Sequence, residues 1–579
     1  MSSSTDETIC PLWIYPKVDV DLCEKIEQEF NIHPVSAQIL VSRGFTSISD
    51  INRHLYSKLP DLHDPELMPD MPQAIDRICL AMERNEGILI YGDNDVDGMT
   101  GTALLTEFLS NLGAQVHFYV PNRNNLREEL IIDALHFAKD NSCGLIITVD
   151  CGITAAKGIE QVVQNDVDVI ITDHHEPTDK IPNCLATLNP KLLNNPYPNR
   201  ELTGVGVAFK FVHAITNHMV STGKVRAEDI DLKSYLDLVA LGTISDMGSL
   251  LDENRILVRY GLAQLSETHR VGLHQLLEVC DLGGKNIKVT DVASKIAPRL
   301  NSLGRIADPR KGVELLLIRD NKLAHELAIE LDLNNTERQK IERKVSHDVD
   351  TYIEDNPGIL DNKAIVLHSN SWHSGVIPIV TTRISKLYNR PTVMIAIDDG
   401  VGKGSIRSIR EFPLLQVLKE SSDILLNFGG HDFAAGLTIK EKNIPQFREN
   451  FLAAANQQLL ENDIITKLAI DSKVEFDQIN FDFMESLRLL EPYGNENYPP
   501  VLYSDVIQSW PPKVVGENHL KLYVEQNGRM LEGIAFQMAN RRHILRKKGT
   551  PLRIAFTPQL NTFHNKTSIQ LRVLDFQVV

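Results

Sequence analysis

Three clusters of carboxylate and imidazole side chains in the first third of the chain carry the residue types that hydrolytic chemistry uses. Carboxylates packed close together raise one another's pKa, and divalent cations are the natural compensation. Oxygen ligands with one or two imidazoles favour Mn²⁺ or Mg²⁺ over the thiolate-rich sites that select zinc. Two such ions about 3.5–4 Å apart activate a water and stabilise the attacking and leaving oxygens of a phosphoester displacement. The clusters are residues 92–98 (GDNDVDG), 150–152 (DCG) and 173–175 (DHH).

Each cluster directly follows a short apolar run rich in β-branched residues. Such runs, bounded by turns and alternating with helical segments, are typical of parallel strands buried on both faces. Ligands of open parallel sheets bind outside the carboxyl ends of the strands, so we expect the three clusters to converge in one crevice. The runs are 88–91 (ILIY), 145–149 (LIITV) and 167–172 (VDVIIT).

Taken singly, two of the clusters have simpler interpretations. The first resembles part of a calcium loop, but Leu104 stands where that loop needs a glutamate, and the preceding segment is strand-like. The third could be a helix N-cap followed by surface histidines. All three clusters follow predicted strands, however, and coincidence is a poor explanation of that shared position.

Composition limits the class of protein. The chain has 579 residues. At about 150 residues per domain, this length predicts roughly three to five domains. Hydrophobic residues make up 42% and charged residues 23%. These fractions are ordinary for globular proteins and exclude wholesale disorder and fibrous architectures. The net charge of −18 argues against a global attraction to phosphates, so any nucleic acid must be bound locally.

Cysteine usage and the absence of apolar spans indicate a compartment. The seven cysteines form no C-x-x-C pair and several lie in apolar runs, which is typical of buried thiols in a reducing environment. The first residues are acidic, without the basic and apolar regions of a signal peptide, and no run approaches the ~20 apolar residues of a membrane span. We therefore expect a cytoplasmic protein that does not engage a membrane.

Changes in pattern along the chain predict five regions. The last region has short alternating strands, such as 519–525 and 568–574, and tight turns such as the one at 526–528, which suggest a small barrel or sandwich. A helix-spaced segment rich in charges ends at the turn signal 355–358 and is interpreted as a rigid connector. The regions are an N-terminal extension (1–72), an α/β region (73–320), the connector helix (321–356), a second sheet-containing region (357–460) and the strand-rich region (465–579).

Together with further motifs in the same order, the clusters resemble the DHH phosphoesterase superfamily, and within it the RecJ family of single-strand exonucleases. The resemblance implies an α/β fold class: a DHH domain with a parallel sheet, a long connector helix, an α/β DHHA1-type accessory domain and a C-terminal OB-fold β-barrel. The added motifs are residues 236–246 (LDLVALGTISD), 253–255 (ENR), 297–305 (APRLNSLGR), 403–408 (KGSIRS) and 428–431 (FGGH).

The resemblance implies two metal sites that share one carboxylate. Asp150 bridges both ions, and Asp95 completes the first site with Asp93 beside it. A bridging carboxylate suits this chemistry because it sets the spacing of the metals. The ligands of the second site are Asp97, Asp150, His174 and Asp246.

The resemblance also implies that His175 faces the scissile phosphate, where an imidazole can donate to a phosphoryl oxygen. Taken alone, Asp246 is better interpreted as a turn residue at the end of a helix, and only the resemblance assigns it to the metal site. The expected catalytic residues are Asp95, Asp97, Asp150, His174, His175 and Asp246.

Substrate contacts are expected from arginines and from glycine-flanked segments. The guanidinium groups can hold a sugar-phosphate backbone in two-point contacts, with surface salt bridging as the alternative. The segments 403–408 and 428–431 are interpreted as tight turns whose amides approach a terminal phosphate. Two departures from the family pattern follow Arg123 and surround Pro378, where we expect altered local backbone. The expected substrate-binding residues are Arg123, Arg299, Asn301, Arg305, Ser405, Arg407, Ser408 and His431.

The function that the resemblance implies is a metal-dependent 5′→3′ exonuclease that degrades single-stranded DNA to mononucleotides in repair and recombination, with two Mn²⁺ or Mg²⁺ ions. Single-stranded DNA is the expected substrate, and a single-strand DNA-binding protein and a helicase are the implied protein partners. Basic and aromatic residues of the last region could hold a strand as OB folds do, although the cluster 541–548 could equally be a solvated helix face. The alternatives are a phosphodiesterase of short oligonucleotides or small nucleotides, and a non-catalytic DNA-binding scaffold of the same fold.

Overall fold

The computed structural model describes residues 11–122, 127–545, 548–563 and 566–579, with side chains for all of these except 127–130 and 563. The chain divides into two compact units, and both are discontinuous in sequence. The first unit contains Asn52–Glu337 and Leu490–Tyr498; the second contains the N-terminal residues up to Ile51, Arg338–Leu489 and Pro499–Val579. None of the helices in the described ranges combines the length and apolar character that crossing a bilayer requires.

The N-terminal segment is built into the second unit through a strand. Leu12–Ile14 pairs in parallel with Lys467–Ala469, and Trp13 is buried there with its indole nitrogen donating to the Asp575 carboxylate at 2.6 Å. No sequence pattern indicated this pairing. The elements of this segment are β1 (Leu12–Ile14), α1 (Val20–Phe30), α2 (Pro34–Ser42) and α3 (Ile48–Tyr56).

The first unit contains the predicted parallel sheet. Its strand order is β3-β2-β4-β5-β6, and every neighbouring pair is parallel. The central strands are almost entirely buried, as their continuous apolar runs predict. Its elements are α4 (Met71–Glu83), β2 (Gly87–Gly92), α5 (Val96–Asn111), β3 (Val116–Tyr119), α6 (Arg127–Asp140), β4 (Cys143–Val149), α7 (Ala156–Val163), β5 (Asp168–Thr172) and β6 (Ala186–Leu188).

A helical layer follows the sheet in the same unit. Helix α5 packs against two of these helices, α8 and α9, and almost all of its residues are buried, so it has no solvent-facing stripe. The helices of the layer are α8 (Gly204–Ser221), α9 (Leu236–Ser245), α10 (Asp252–Ser266), α11 (Val271–Val279), α12 (Val289–Asp291), α13 (Ala297–Ile306) and α14 (Arg310–Leu317).

The long helix α15 covers Asn321–Asp355, which confirms the predicted connector. It has 35 residues. At a rise of about 1.5 Å per residue, a helix of this size is about 50 Å long. Ala328 and Leu331 pack in the core of the first unit, whereas Val345 and Val349 pack in a core of the second unit. One continuous helix therefore contributes side chains to both units.

The accessory region of the second unit is a five-stranded mixed sheet in the order β10-β11-β9-β8-β7. The prediction of tight turns at 403–408 and 428–431 is wrong, because most of both segments lies in strands. Their glycines mark close packing: a Cβ at Gly404 would lie 2.7 Å from Leu437 Cδ1, and one at Gly430 would lie 2.3 Å from the Ala434 carbonyl oxygen. The elements are β7 (Ile365–Ser369), α16 (Ile377–Tyr388), β8 (Thr392–Asp398), β9 (Val401–Arg407), α17 (Leu414–Glu420), β10 (Leu425–His431), β11 (Ala434–Lys440) and α18 (Ile444–Gln458).

Pro378 occupies the second position of α16. A proline in the first turn removes no intrahelical hydrogen bond, since the N–H it lacks would have no partner within the helix. The local sequence departure at this position is thus accommodated by a helix that starts there.

The C-terminal region forms a closed five-stranded barrel, as predicted. Strands follow one another in the order β14-β15-β16-β18-β17, and β17 pairs back with β14. The predicted strands at 519–525 and 568–574 lie in β15 and β18, and the turn between β15 and β16 has positive φ at Asn527 and Gly528. The elements are β12 (Lys467–Ala469), β13 (Ser472–Lys473), α19 (Phe481–Arg488), β14 (Leu502–Val515), β15 (His519–Gln526), β16 (Arg529–Ala535), β17 (Pro551–Phe563) and β18 (Lys566–Val578).

Candidate metal centre

The three clusters lie side by side at the carboxyl edge of the parallel sheet. Gly92, Val149 and Thr172 are partners in the register of β2, β4 and β5. The amide of Asp93 donates to the Val149 carbonyl at 3.1 Å. The amide of Asp150 likewise donates to the Thr172 carbonyl at 2.9 Å. The backbone of the sheet edge therefore fixes both acidic residues.

Side chains of these clusters and of Asp246 lie close enough to share metal ions. Three sets of side chains each bring one ligand atom per residue within 4.8 Å of the others. Every residue named above as catalytic or metal-binding belongs to at least one set. The sets are Asp93, Asp95 and Asp150; Asp97, His174 and Asp246; and Asp150, His174 and His175.

His174 lies at the centre of the carboxylates. Its Nε2 is 3.0 Å from Asp150 Oδ1, 3.6 Å from Asp246 Oδ2 and 3.9 Å from Asp97 Oδ2. Burial, together with the positive charge of neighbouring His175, lowers the pKa of His174 to about 4. The imidazole is therefore neutral at pH 7, which is the form that coordinates metals.

Asp97 is held by the first turn of another helix. It is the second residue of α5, is fully buried, and accepts hydrogen bonds from the amides of Gly204 (2.6 Å) and Val205 (2.9 Å) at the start of α8. Burial and the charge of Asp95 raise the pKa of Asp97 to about 7, against the effect of the two amides. The helix N-terminus orients the carboxylate without removing its affinity for a proton or a cation.

Asp150 is the acidic residue that two of the three sets share. It adopts a left-handed backbone conformation with φ 61°, and its side chain is buried. Burial and the surrounding carboxylates, Asp95 first among them, raise its pKa well above the usual value. Its Oδ1 makes no hydrogen bond within the described residues, although His174 Nε2 is 3.0 Å away. A buried acceptor of this kind is placed to bind a cation.

Asp173, which sequence reasoning left out of the metal ligands, orients the two histidines. Its carboxylate accepts hydrogen bonds from the amides of Ile153, His174 and His175 and from Nδ1 of His175 at 2.8 Å. Burial alone would raise the pKa of Asp173, but these hydrogen bonds and the histidine charges lower it to about 2. An ionised carboxylate on Nδ1 fixes the ring orientation of His175, as carboxylates do for histidines in metal sites.

Asp246 ends α9 and completes the site from the helical layer. It is the C-cap residue of that helix, its amide donates to the Gly242 carbonyl at 2.9 Å, and its side chain is about one third exposed. Burial together with Asp97 and Asp95 raises the pKa of Asp246 well above the usual value. Its position agrees with a turn residue at the end of a helix, but its place beside His174 makes it available as a ligand.

The donor set fits hard divalent cations. The three sets contain carboxylate oxygens and imidazole nitrogens and no thiol, which favours Mg²⁺ or Mn²⁺ over zinc. The raised pKa values of Asp97, Asp150 and Asp246 reflect burial first and like charges close together second, and a cation relieves that repulsion. Two of the sets share Asp150, so one carboxylate can serve two neighbouring ions.

Arg299 and Asn301, both predicted as substrate residues, contact other residues of the first unit. Arg299 donates to the Asp332 carboxylate at 2.9 Å and to the Lys295 carbonyl at 2.7 Å. The side-chain oxygen of Asn301 accepts from the amide of Val96 at 3.3 Å and so supports the start of α5. Arg305 lies half-buried near the end of α13, and Arg123 lies outside the described residues.

The predicted substrate residues of the second unit lie on or directly after β9 and β10, the two strands that flank β11 in the accessory sheet. Arg407 is opposite Ala434, which is in turn opposite His431, so His431 and Arg407 occupy one row of the sheet. Ser405 precedes Arg407 by two residues on β9 and therefore shares its face. Ser408 follows the strand, and its amide donates to the Phe433 carbonyl at 2.9 Å.

Comparisons with known proteins place the chain in a family. Three family models match it in order: the DHH family N-terminal domain over 87–243, the DHHA1 domain over 361–461 and the RecJ OB domain over 470–575. The single-stranded-DNA-specific exonuclease RecJ of Bacillus subtilis is 35% identical, over 98% of this chain and 71% of its own length. The protein of that name from Escherichia coli is 30% identical, over 93% of this chain and 95% of its own. The chain belongs to the RecJ family.

A solved RecJ structure agrees with this assignment. The crystal structure of RecJ in complex with Mn²⁺ from Thermus thermophilus matches with a TM-score of 0.82 at 28% identity, over 98% of this chain and 79% of that one. The RecJ architecture predicted from the sequence is therefore confirmed, with its DHH domain, connector helix, DHHA1-type domain and OB barrel.

Proposed function

We propose that the protein is a metal-dependent exonuclease that degrades single-stranded DNA from its 5′ end to mononucleotides, in DNA repair and recombination. One observation carries the proposal: in a RecJ-family chain, two sets of ligand side chains share the buried Asp150, whose Oδ1 has no hydrogen-bond donor among the described residues. Relatives over the whole chain are named single-stranded-DNA-specific exonucleases, and solved RecJ structures contain Mn²⁺ or Mg²⁺.

The residues of this chain have distinct roles in that reaction. Bound divalent ions would lower the pKa of a water and offset the charge of the phosphate. The first ion would be held by Asp95 and Asp150 with Asp93 beside them. The second would be held by Asp97, Asp150, His174 and Asp246.

His175 is proposed to contact the phosphate that is cleaved. Asp173 accepts a hydrogen bond from Nδ1 of His175, so the opposite nitrogen of the ring is the one that a substrate oxygen can approach. About two fifths of the His175 side chain is exposed, which leaves room for that contact.

A terminal phosphate is proposed to bind the accessory sheet at the row that contains Arg407 and His431. Burial lowers the pKa of Arg407, and within the described residues this guanidinium makes no ion pair with an acidic side chain. A half-buried cation of this kind is suited to an anionic ligand. Ser405 and His431 lie on the same face and Ser408 follows, so they are assigned to the same phosphate. Arg123, Arg299, Asn301 and Arg305 are assigned to the rest of the strand.

The proposed domain boundaries are those expected from the sequence: 1–72, 73–320, 321–356, 357–460 and 465–579. The ranges of the three matched family models support the second, fourth and fifth of them. The cytoplasm as place of action belongs to the same proposal and is supported by the pattern of the cysteines. A single-strand DNA-binding protein and a helicase are proposed as partners, supported by the resemblance to the family.

The test uses a long single strand labelled at either end, incubated with Mn²⁺ or with a chelator. The parent protein and the Asp97→Ala and His174→Ala variants are compared, with the exposed Glu496→Gln variant as control. Mononucleotides released from the 5′ end only with Mn²⁺, lost in both site variants and retained in the control, are expected. Hydrolysis of a dinucleotide but not of the strand would establish a small-substrate phosphodiesterase. Binding without cleavage would establish a scaffold.

A further inference from the structure

A short segment far along the chain supports the turn that carries Asp246. Residues Leu490–Tyr498, named the strap here, follow α19 and precede β14 in sequence, and both of these belong to the second unit. The strap itself belongs to the first unit. This short stretch of the chain thus joins a unit whose other residues end at Glu337.

The strap makes a reciprocal pair of hydrogen bonds with the segment after α9. Nδ2 of Asn495 donates to the Met247 carbonyl at 2.7 Å. The amide of Leu250 donates to the Asn495 carbonyl at 2.9 Å. Gly494 lies against Leu250 so closely that a Cβ on it would stand 2.4 Å from Leu250 Cδ1. Backbone, side chain and packing all connect the strap to residues 247–250.

The turn at this place is one that an L-residue seldom adopts unaided. Met247, directly after Asp246, has φ 57°. This value lies in the left-handed region that favours glycine. Its amide donates to the Ile244 carbonyl at 3.2 Å, and the amide of Gly248 donates to the Thr243 carbonyl at 2.9 Å. Such backbone persists only where its surroundings fix it, and the Asn495 side chain bonds to the strained residue itself.

The strap is itself anchored. Nδ2 of the buried Asn497 donates to the carbonyls of Leu490 and Pro492, both at 2.8 Å. The guanidinium of Arg255, which is almost completely buried, donates to the Leu490 carbonyl at 2.8 Å. Arg255 belongs to the motif at 253–255 for which the metal site gave no role. It holds the start of the strap, so Asn495 is presented from a fixed loop.

We propose that Asn495 is a positioning residue for the metal ligand Asp246. The inference rests on the proposed function, because it matters only if Asp246 binds a metal. Asp246 belongs to the set with Asp97 and His174 and not to the set with Asp93, Asp95 and Asp150. Loss of the Asn495 amide should therefore weaken one of the two metal sites and spare the other.

The test measures Mn²⁺ binding to the full chain in the parent, Asn495→Ala and Asn495→Asp proteins. Electron paramagnetic resonance and calorimetry are the two readouts of binding. The aspartate variant keeps the shape and removes the donor. One Mn²⁺ equivalent is expected to bind about three- to tenfold more weakly in both variants, as for the loss of one hydrogen bond, with the other unchanged. Cleavage at limiting Mn²⁺ should fall by a similar factor and recover at saturating Mn²⁺, with KM for DNA unchanged. The control is the exposed neighbour, Glu496→Gln, which should match the parent.

Two results would overturn the proposal. Both Mn²⁺ equivalents could bind the two Asn495 variants as tightly as the parent. Alternatively, both equivalents could weaken together with a lower thermal midpoint, which would indicate general loss of fold. A parent protein that binds two Mn²⁺ ions without cutting a single strand would instead contradict the proposed function, so the two failures are distinguishable.

Discussion

Two buried aspartates of the candidate metal centre have pKa values that are shifted in opposite directions. Asp173 accepts four hydrogen bonds from nitrogen donors, and its pKa falls to about 2. Asp97 accepts two from amides, faces other carboxylates, and its pKa rises to about 7. The number of donors compared with neighbouring charges decides the direction. Asp173 therefore stays ionised and orients His175, whereas Asp97, as a proposed metal ligand, would exchange a proton for a cation.

This difference predicts a pH dependence of metal binding. Asp97 is protonated below about pH 7 in the metal-free protein, and the pKa values of Asp150 and Asp246 are also raised, so a cation must displace protons to bind. Each displaced proton weakens Mn²⁺ binding about tenfold per pH unit below the pKa. We expect affinity to fall between pH 8 and pH 6, with proton release measured by calorimetry in buffers of different ionisation enthalpy.

The same three carboxyl groups also determine how the stability of the metal-free protein changes with pH. Their pKa values are raised on folding, so their contribution is fully present below the unfolded pKa and is lost as pH rises through the folded value, about 7 for Asp97. Mn²⁺ should therefore raise the melting temperature more at pH 8 than at pH 6. An equal rise at both values would contradict this account.

At the residue scale, the sequence indicated which acidic and imidazole side chains come together better than it indicated the groups that support them. Asp150 and His174 were predictable because acidic and imidazole groups after buried strands must meet at one sheet edge. The hydrogen bonds from the amides of Gly204 and Val205 were not predictable. Every residue except proline has a backbone amide, and only the fold shows where that amide points. Asp173 was visible in the motif, but only its four donors distinguish an orienting carboxylate from a ligand.

At the element scale, the start of α8 combines support for Asp97 with contact to Asp150. Gly204 donates its amide to Asp97, and its Cα lies against the Asp150 side chain. A glycine is needed here for space, since an added Cβ would stand 2.5 Å from Asp150 Cβ. The close approach lets one helix end fix two of the acidic residues.

We expect Gly204→Ala to lower kcat by about a hundredfold, since a small displacement of a catalytic group can have that effect. The added methyl must push Asp150 from its place, because it would also stand 2.8 Å from Asp150 Oδ1. Steady-state cleavage of a labelled strand measures this. Gly206→Ala is the matched control in the same helix, where the nearest atom is a Leu202 methyl at 3.2 Å. Equal losses in both variants would show that the helix, and not the contact, is affected.

The elements themselves were predictable where periodicity was clear. The buried strands β2, β4 and β5 and the long helix α15 follow from apolar runs and helical spacing. Glycine was misleading in the accessory region, because Gly404 and Gly430 serve close packing between strands and not turns. The parallel pairing of β1 with β12 joins opposite ends of the sequence, Leu12 with Lys467, and no local pattern encodes it.

At the scale of the whole molecule, the N-terminal strand is a structural part of the second unit. Trp13 packs in a small core with Ile470 and Ala555 and bonds to Asp575. We expect Trp13→Ala to lower the free energy of unfolding by about 3–5 kcal/mol, the usual range for a buried aromatic side chain. Urea unfolding measures the change. Leu12 is exposed on the same strand. The matched Leu12→Ala variant should change the free energy by no more than about 0.5 kcal/mol.

The strap also has a consequence for the order of synthesis. A ribosome makes Asp246 long before Asn495, so the turn after α9 emerges without the side chain that supports it. The hydrogen bonds between the strap and the turn can form only after residue 498 has left the exit tunnel, when most of the chain has been made. Any fragment that ends before Leu490 therefore carries all the proposed metal ligands but lacks one support of Asp246. The supports of the proposed metal site are thus complete only while the C-terminal barrel is already being translated.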